Sequence, residues 1–196
     1  MLAVLACIAG CVTYTGGARP VDPARVTARD GWIVAAATPA LHQPGPLDCG
    51  AAAFAMVAAR WHVALSVDDA VAALPSAKPS GVRLGDLRAA ARKRGLVAYA
   101  IAGDRETLVH ELAAGRPVIV GLVLPISRDR GLSHYEVVVA VNPAKDQFAT
   151  IDPSTGWRAR SWADLDAEWR PAGHPTLVVL GLADEPPAPT GPLSAR

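Results

Sequence analysis

Gln43-Pro-Gly-Pro-Leu-Asp-Cys-Gly-Ala-Ala-Ala-Phe-Ala-Met-Val57 sets one cysteine at the mouth of an apolar helix, with a glutamine six residues upstream. Pro44 and Pro46 force an extended approach to that helix, and Asp48 stands at its N-cap position. From Ala51 to Trp61 nearly every residue is apolar, which predicts a central helix buried on most sides. A free thiol with a pKa of about 8.5 is mostly unreactive at neutral pH, and the positive end of a helix together with an imidazolium partner lowers that value by several units. Cys49 has the first of these, and the second has to come from a histidine elsewhere in the chain.

His134 opens His-Tyr-Glu-Val-Val-Val-Ala-Val after a polar loop expected at 127–133, and Asp152 closes Phe-Ala-Thr-Ile-Asp-Pro. A histidine at a strand end points into a cleft while Val137, Val138 and Val139 fix the backbone. His134 is therefore the candidate base and acid for Cys49, and Asp152 the residue that orients the ring. Gln43, one short loop before Cys49, is a candidate side-chain donor to an oxyanion, together with the Cys49 backbone N–H. Each residue alone has an ordinary explanation as filling, surface or turn. The order Gln, Cys, His, Asp at these positions points to an enzyme. The other histidines, His42, His62, His110 and His174, show no metal-ligand spacing with an acid or thiol and are read as surface or capping residues, so no metal or other cofactor is expected.

Helical spacing covers 67–74, 84–94, 104–114 and 161–169, whereas 96–102, 117–124, 135–141, 147–151, 157–160 and 176–182 read as strands. Helices dominate early and strands late. That order predicts an α+β fold, with an N-terminal helical half packed on an antiparallel β-sheet. The 196 residues, 51% of them apolar, suffice for one substantial core. A formal charge of +1 with no Lys/Arg run argues against a nucleic-acid partner.

The uncharged N-terminus, Met-Leu-Ala-Val-Leu-Ala-Cys-Ile-Ala-Gly-Cys11, is too short to span a membrane, which takes roughly 20 residues. It resembles the lipobox of a bacterial lipoprotein precursor, although a basic n-region is missing. That resemblance implies a signal peptide over 1–10, lipidation of Cys11, and an exported protein anchored to the cell or outer membrane and facing the periplasm or exterior. Residues 11–30, rich in Gly and Pro, then read as a tether, 31–183 as the domain and 184–196 as a Pro-rich disordered tail. With Cys7 removed and Cys11 lipidated, Cys49 would be the sole free thiol of a mature chain in an oxidising compartment, which favours a reactive role.

Gln43, Asp48-Cys49-Gly50, Ala52 and Met56-Val57, followed by His134-Tyr135 before a valine-rich strand and by Ile151-Asp152-Pro153 with Gly156, resemble the motifs of the bacteriocin-processing or double-glycine leader peptidases. These are a branch of the papain-like cysteine proteases. The resemblance spans about residues 40–170. It implies a papain-like fold, Cys49 as nucleophile, His134 as base and acid, Asp152 as orienter, Gln43 as oxyanion donor, and a peptide or protein substrate, with cleavage after Gly-Gly as in relatives. Many members precede an ATP-driven exporter. This sequence carries no transmembrane run and no Gly-x-x-x-x-Gly-Lys-Ser/Thr loop, which suggests a free-standing form that uses no ATP. Two alternatives share the motif residues: a papain-like amidase or acyl transferase acting on cell-wall or isopeptide bonds, and a non-catalytic peptide-binding module.

Overall fold

The computed structural model describes residues 14–75, 81–127 and 130–182. The expected signal peptide 1–10, Cys11 and the tail 184–196 lie outside the described residues. The framework is one antiparallel sheet of β1 (Arg19–Pro20), β2 (Ile33–Val34), β3 (Leu96–Ala102), β4 (Val118–Ser127), β5 (Arg130–Asn142), β6 (Gln147–Asp152), β7 (Gly156–Ser161) and β8 (Pro175–Leu182). The strands run in the order β1-β7-β6-β5-β4-β8-β3, and β2 pairs with the far end of β5, Ile33 facing Val141.

Helices cover both faces of this sheet. On one side α1 (Cys49–Arg60), α2 (Val67–Ala73) and α3 (Leu84–Lys93) pack on Ile119, Val137, Val139 and Leu177. On the other, α4 (Arg105–Ala113) and α5 (Trp162–Trp169) pack on Val118, Val120, Val138 and Phe148. Successive side chains of a strand point to opposite faces. The unbroken apolar run of β5 therefore feeds two cores at once: Val137 and Val139 enter the first, Val138 the second. The fold is α+β, with the expected helical half formed by α1–α3 and a further layer contributed by α4 and α5. In α1 every residue from Cys49 to Ala58 is buried. Its alanines let the helix lie close on β5.

Three expectations differ from what the structure holds. The polar stretch 127–133 is not a loop up to His134. β4 and β5 extend as a long hairpin with Ser127 opposite Arg130, so His134 sits inside a strand, paired with Leu122. Register with the apolar β4 prolongs the strand through residues of weak strand propensity. Residues 14–30, expected as a tether, are packed down as a strap in which Ala18 and Val26 are buried and Pro20 pairs with Arg158 of β7. Proline is tolerated there because β1 is an edge strand. Gly16 and Gly17 allow the close approach, since a Cβ at either would collide with Glu168 or Asp164 of α5. Finally, Asp48 precedes α1 but its carboxylate makes no capping bond. Among the described residues no helix is long and apolar enough to cross a membrane.

Candidate active site

Cys49 is the first residue of α1 and only 7% exposed. The first-turn N–H groups of a helix have no intrahelical acceptor. The Asp48 side chain leaves them uncapped, having turned back over the loop so that a Cβ on Gly45 would lie 2.7 Å from its Oδ2. The partial positive charge of the helix end is thus left facing the thiol. Gly50 is required by the same close packing: a Cβ would run into Val82 and stand 3.1 Å from the Tyr135 ring.

His134 and Asp152 meet across the β5–β6 pair, Nε2 lying 2.8 Å from Oδ1, with both side chains 6% exposed. The Asp-Pro-Ser-Thr turn serves the carboxylate as well. The Ser154 N–H donates to Oδ1 at 2.7 Å and the Thr155 hydroxyl to Oδ2 at 2.5 Å. Burial pushes the Asp152 carboxyl up, but the bond from His134, its charge and the Thr155 and Ser154 donors outweigh that and hold it at about 2. Burial likewise favours the neutral His134 ring. The Asp152 hydrogen bond outweighs it, joined by the hydrogen bond and charge of Cys49, and raises the imidazole to about 10. With Nε2 engaged by Asp152, Nδ1 is the ring nitrogen left for the thiol. The arrangement favours an imidazolium beside Cys49 across the neutral range.

Gln43 is tied to the same corner, its backbone N–H donating to Pro153 O at 3.0 Å. One amide hydrogen goes to Gly45 O at 2.7 Å, and Oε1 is buried without a partner. The second amide hydrogen is thus available at the edge of the cavity that Gln43 lines with His134 and Asp152. All four residues singled out in the sequence therefore border one region of the molecule, Cys49 and Gln43 through the α1 approach and the other two through the sheet.

Glu136 was not anticipated. Two residues beyond His134 on β5, it shares that strand face, and His134, Glu136 and Asp152 bring ligand-type atoms within 4.8 Å of one another. The three resemble a metal cluster in composition, but Asp152 is held by His134, Ser154 and Thr155, and Glu136 is paired through one oxygen with the fully buried Arg160. Arg160 also pairs with Glu168 of α5 and lies 3.2 Å from the Thr150 hydroxyl. Tyr14 of the strap donates its hydroxyl to Glu168. Burial and that bond push the Tyr14 hydroxyl to about 12, so it remains a donor at every working pH. A glutamate interrupting the valine run of β5 was the signal for this network.

Two cavities flank His134. One, of about 380 Å³, includes Cys49, Val82, Tyr135 and Pro175; the other, of about 280 Å³, includes Gln43, Asp152 and Tyr14. A larger concavity of about 710 Å³, lined by Thr15, Gly16 and Gly17 of the strap with Arg130 and Pro171, contains neither Cys49 nor His134. The chemistry, not the volume, locates the site.

A buried thiol at a helix N-terminus faces a sheet that carries an imidazole with a carboxylate behind it, an arrangement suited to nucleophilic chemistry at sulfur. Residues 38–173 match the Peptidase C39 family, so the chain belongs to that family of cysteine peptidases. Among solved structures it is similar to a double glycine motif protease from an AMS/PCAT transporter in complex with its leader peptide (20% identity, TM-score 0.60, covering 74% of this chain and 93% of that one). It is also similar to the peptidase domain of Streptococcus ComA, a bifunctional ABC transporter of a quorum-sensing pathway (25% identity, TM-score 0.57, 71% and 95% covered). A C39-like peptidase from Bacillus anthracis aligns over 80% of this chain and 99% of its own (14% identity, TM-score 0.64). No curated protein matches the sequence.

Proposed function

We propose that this peptidase cleaves an exported peptide or protein after a Gly-Gly pair, with Cys49 as nucleophile, His134 as general base and acid, Asp152 as orienter and Gln43 as oxyanion donor. The observation that carries the reading is the buried 2.8 Å contact between His134 and Asp152 with Cys49 acting on the same ring. The Cys49 thiolate adds to the scissile carbonyl carbon. The oxyanion is met by the Cys49 backbone N–H and the remaining Gln43 amide hydrogen. Collapse breaks the C–N bond, and the imidazolium gives its proton to the departing amine, leaving a thioester. His134 then takes a proton from water, hydroxide adds to the thioester, and the second collapse releases the carboxylic acid, which gives its proton to solvent, and the thiolate, which re-forms the pair with His134. The Gly-Gly preference is supported by the double glycine motif protease among the structural relatives.

Export and lipid anchoring through Cys11 belong to the same proposal, supported by the apolar run and the Ile8-Ala9-Gly10-Cys11 ending. The chemistry is tested with quenched fluorescent peptides carrying Gly-Gly or Ala-Ala before the scissile bond: the wild type cleaves the first, and Cys49→Ala cleaves neither. Cleavage surviving in Cys49→Ala contradicts the assignment. Fatty-acid labelling lost in Cys11→Ser tests the anchor.

A further inference from the structure

The strap 14–20 precedes the stretch that matches the family, yet it reaches the candidate site. Tyr14 lines the 280 Å³ cavity with Leu124, Ile126 and Leu132, and His134 and Asp152 close its inner end. The strap is held firmly. The Arg158 guanidinium stacks on the Tyr14 ring at 5.3 Å, donates to Ala18 O at 2.9 Å and reaches the Thr155 hydroxyl at 3.0 Å, the same hydroxyl that donates to Asp152. The Ala18 N–H donates to the Tyr14 hydroxyl at 2.9 Å, and the Thr15 N–H to Pro125 O at 2.9 Å, tying the strap to β4.

The two cavities differ in one respect that the reaction turns into a difference of role. The acyl part of a substrate becomes bonded to Cys49 and must occupy the cavity that contains Cys49. The leaving amine takes its proton from His134 and departs, so it belongs in a cavity that His134 lines and Cys49 does not. Resting on the peptidase reading above, we propose that the strap forms the wall of the leaving-group pocket, and that Tyr14 is a specificity-determining residue selecting an apolar side chain immediately after the scissile bond. An aromatic ring facing two leucines and an isoleucine favours an aliphatic or aromatic side chain over none.

Acceptor partitioning tests this directly on the full-length chain in detergent. A short peptide ester ending in Gly-Gly acylates Cys49 with loss of the alcohol. Added amino-acid amides then compete with water: the amine attacks the thioester, a new amide forms, the Cys49 thiolate leaves, and the amine proton passes to His134. Leucinamide and phenylalaninamide are expected to capture the acyl group about tenfold better than glycinamide, the usual yield of an apolar pocket. Tyr14→Ala is expected to bring the acceptors close to parity. Ile126→Trp, which adds bulk to the same lining from β4, is expected to reverse the order in favour of glycinamide. Turnover of the ester by the wild type with equal capture of all acceptors overturns the pocket assignment alone. No turnover by the wild type overturns the peptidase reading and the assignment with it.

Discussion

His134 is as deeply buried as a core valine's neighbour should be, and burial alone would strip its proton. It keeps that proton because Asp152 lies 2.8 Å away and Cys49 supplies further negative charge, which together raise it to about 10. A group raised in the folded state contributes stability that is complete below its unfolded value of 6.5 and is lost as pH climbs through about 10. Asp152, depressed to about 2, contributes above its unfolded 3.8 and loses that contribution as pH falls towards 2. Urea midpoints should therefore be highest between about pH 4 and 6.5, and His134→Ala should flatten the alkaline decline. Asp152→Asn keeps an acceptor for the ring but removes its charge. A charge-assisted hydrogen bond is worth about 1.5–3 kcal/mol, so kcat is expected to fall roughly 10- to 150-fold, and the alkaline limb of the pH–rate profile to move to lower pH. An unchanged alkaline limb would contradict the role given to the carboxylate.

α1 carries Cys49, the proposed nucleophile, and its seat is set by Gly50. With Val82 and the Tyr135 ring against that position, Gly50→Ala is expected to cost about 1–3 kcal/mol in urea unfolding and to lower Cys49 reactivity by tilting the helix start. A neutral effect on both would show that the contact yields freely. This helix was legible in the sequence because an apolar stretch entered through two prolines has few other conformations. So were α4 and α5, whose caps Asp104 and Ser161 bond Thr107 and Asp164 as their residue types predict. The extent of β4 and β5 was not legible: Arg130-Gly-Leu-Ser133 has little strand propensity and is drawn into register by its partner. Asp48 illustrates the converse, a residue with the right type and position for a cap whose side chain is turned elsewhere. Cys49, His134 and Asp152 were readable as types at element ends, whereas Thr155 and Ser154 emerge only from the turn that wraps the carboxylate.

Over the whole molecule, the strap, α5 and the sheet are joined through Arg160, which faces Glu136 and Glu168 while Tyr14 completes the Glu168 carboxylate. Composition hid this, since a Gly/Pro-rich segment reads as a linker until a buried ion pair at its foot is seen. Two carboxylates around one guanidinium make removal of the cation costly. Arg160→Met is expected to lose about 3–5 kcal/mol. The loss should be larger at pH 8 than at pH 5, because burial already pushes Glu168 up and protonation relieves it. Adding Glu136→Gln and Glu168→Gln to Arg160→Met should recover much of that stability. Equal denaturation midpoints for Arg160→Met and wild type at both pH values would show that the network carries no net weight.

The most direct measurement is the pH dependence of iodoacetamide alkylation of Cys49, in the wild type and in His134→Ala. A cysteine paired with an imidazolium at a helix end is expected to react well below about pH 6, with that acid-side reactivity lost in the variant. A single rise near about pH 8.5, identical in both proteins, would make Cys49 an ordinary thiol and contradict the Cys49–His134 pair.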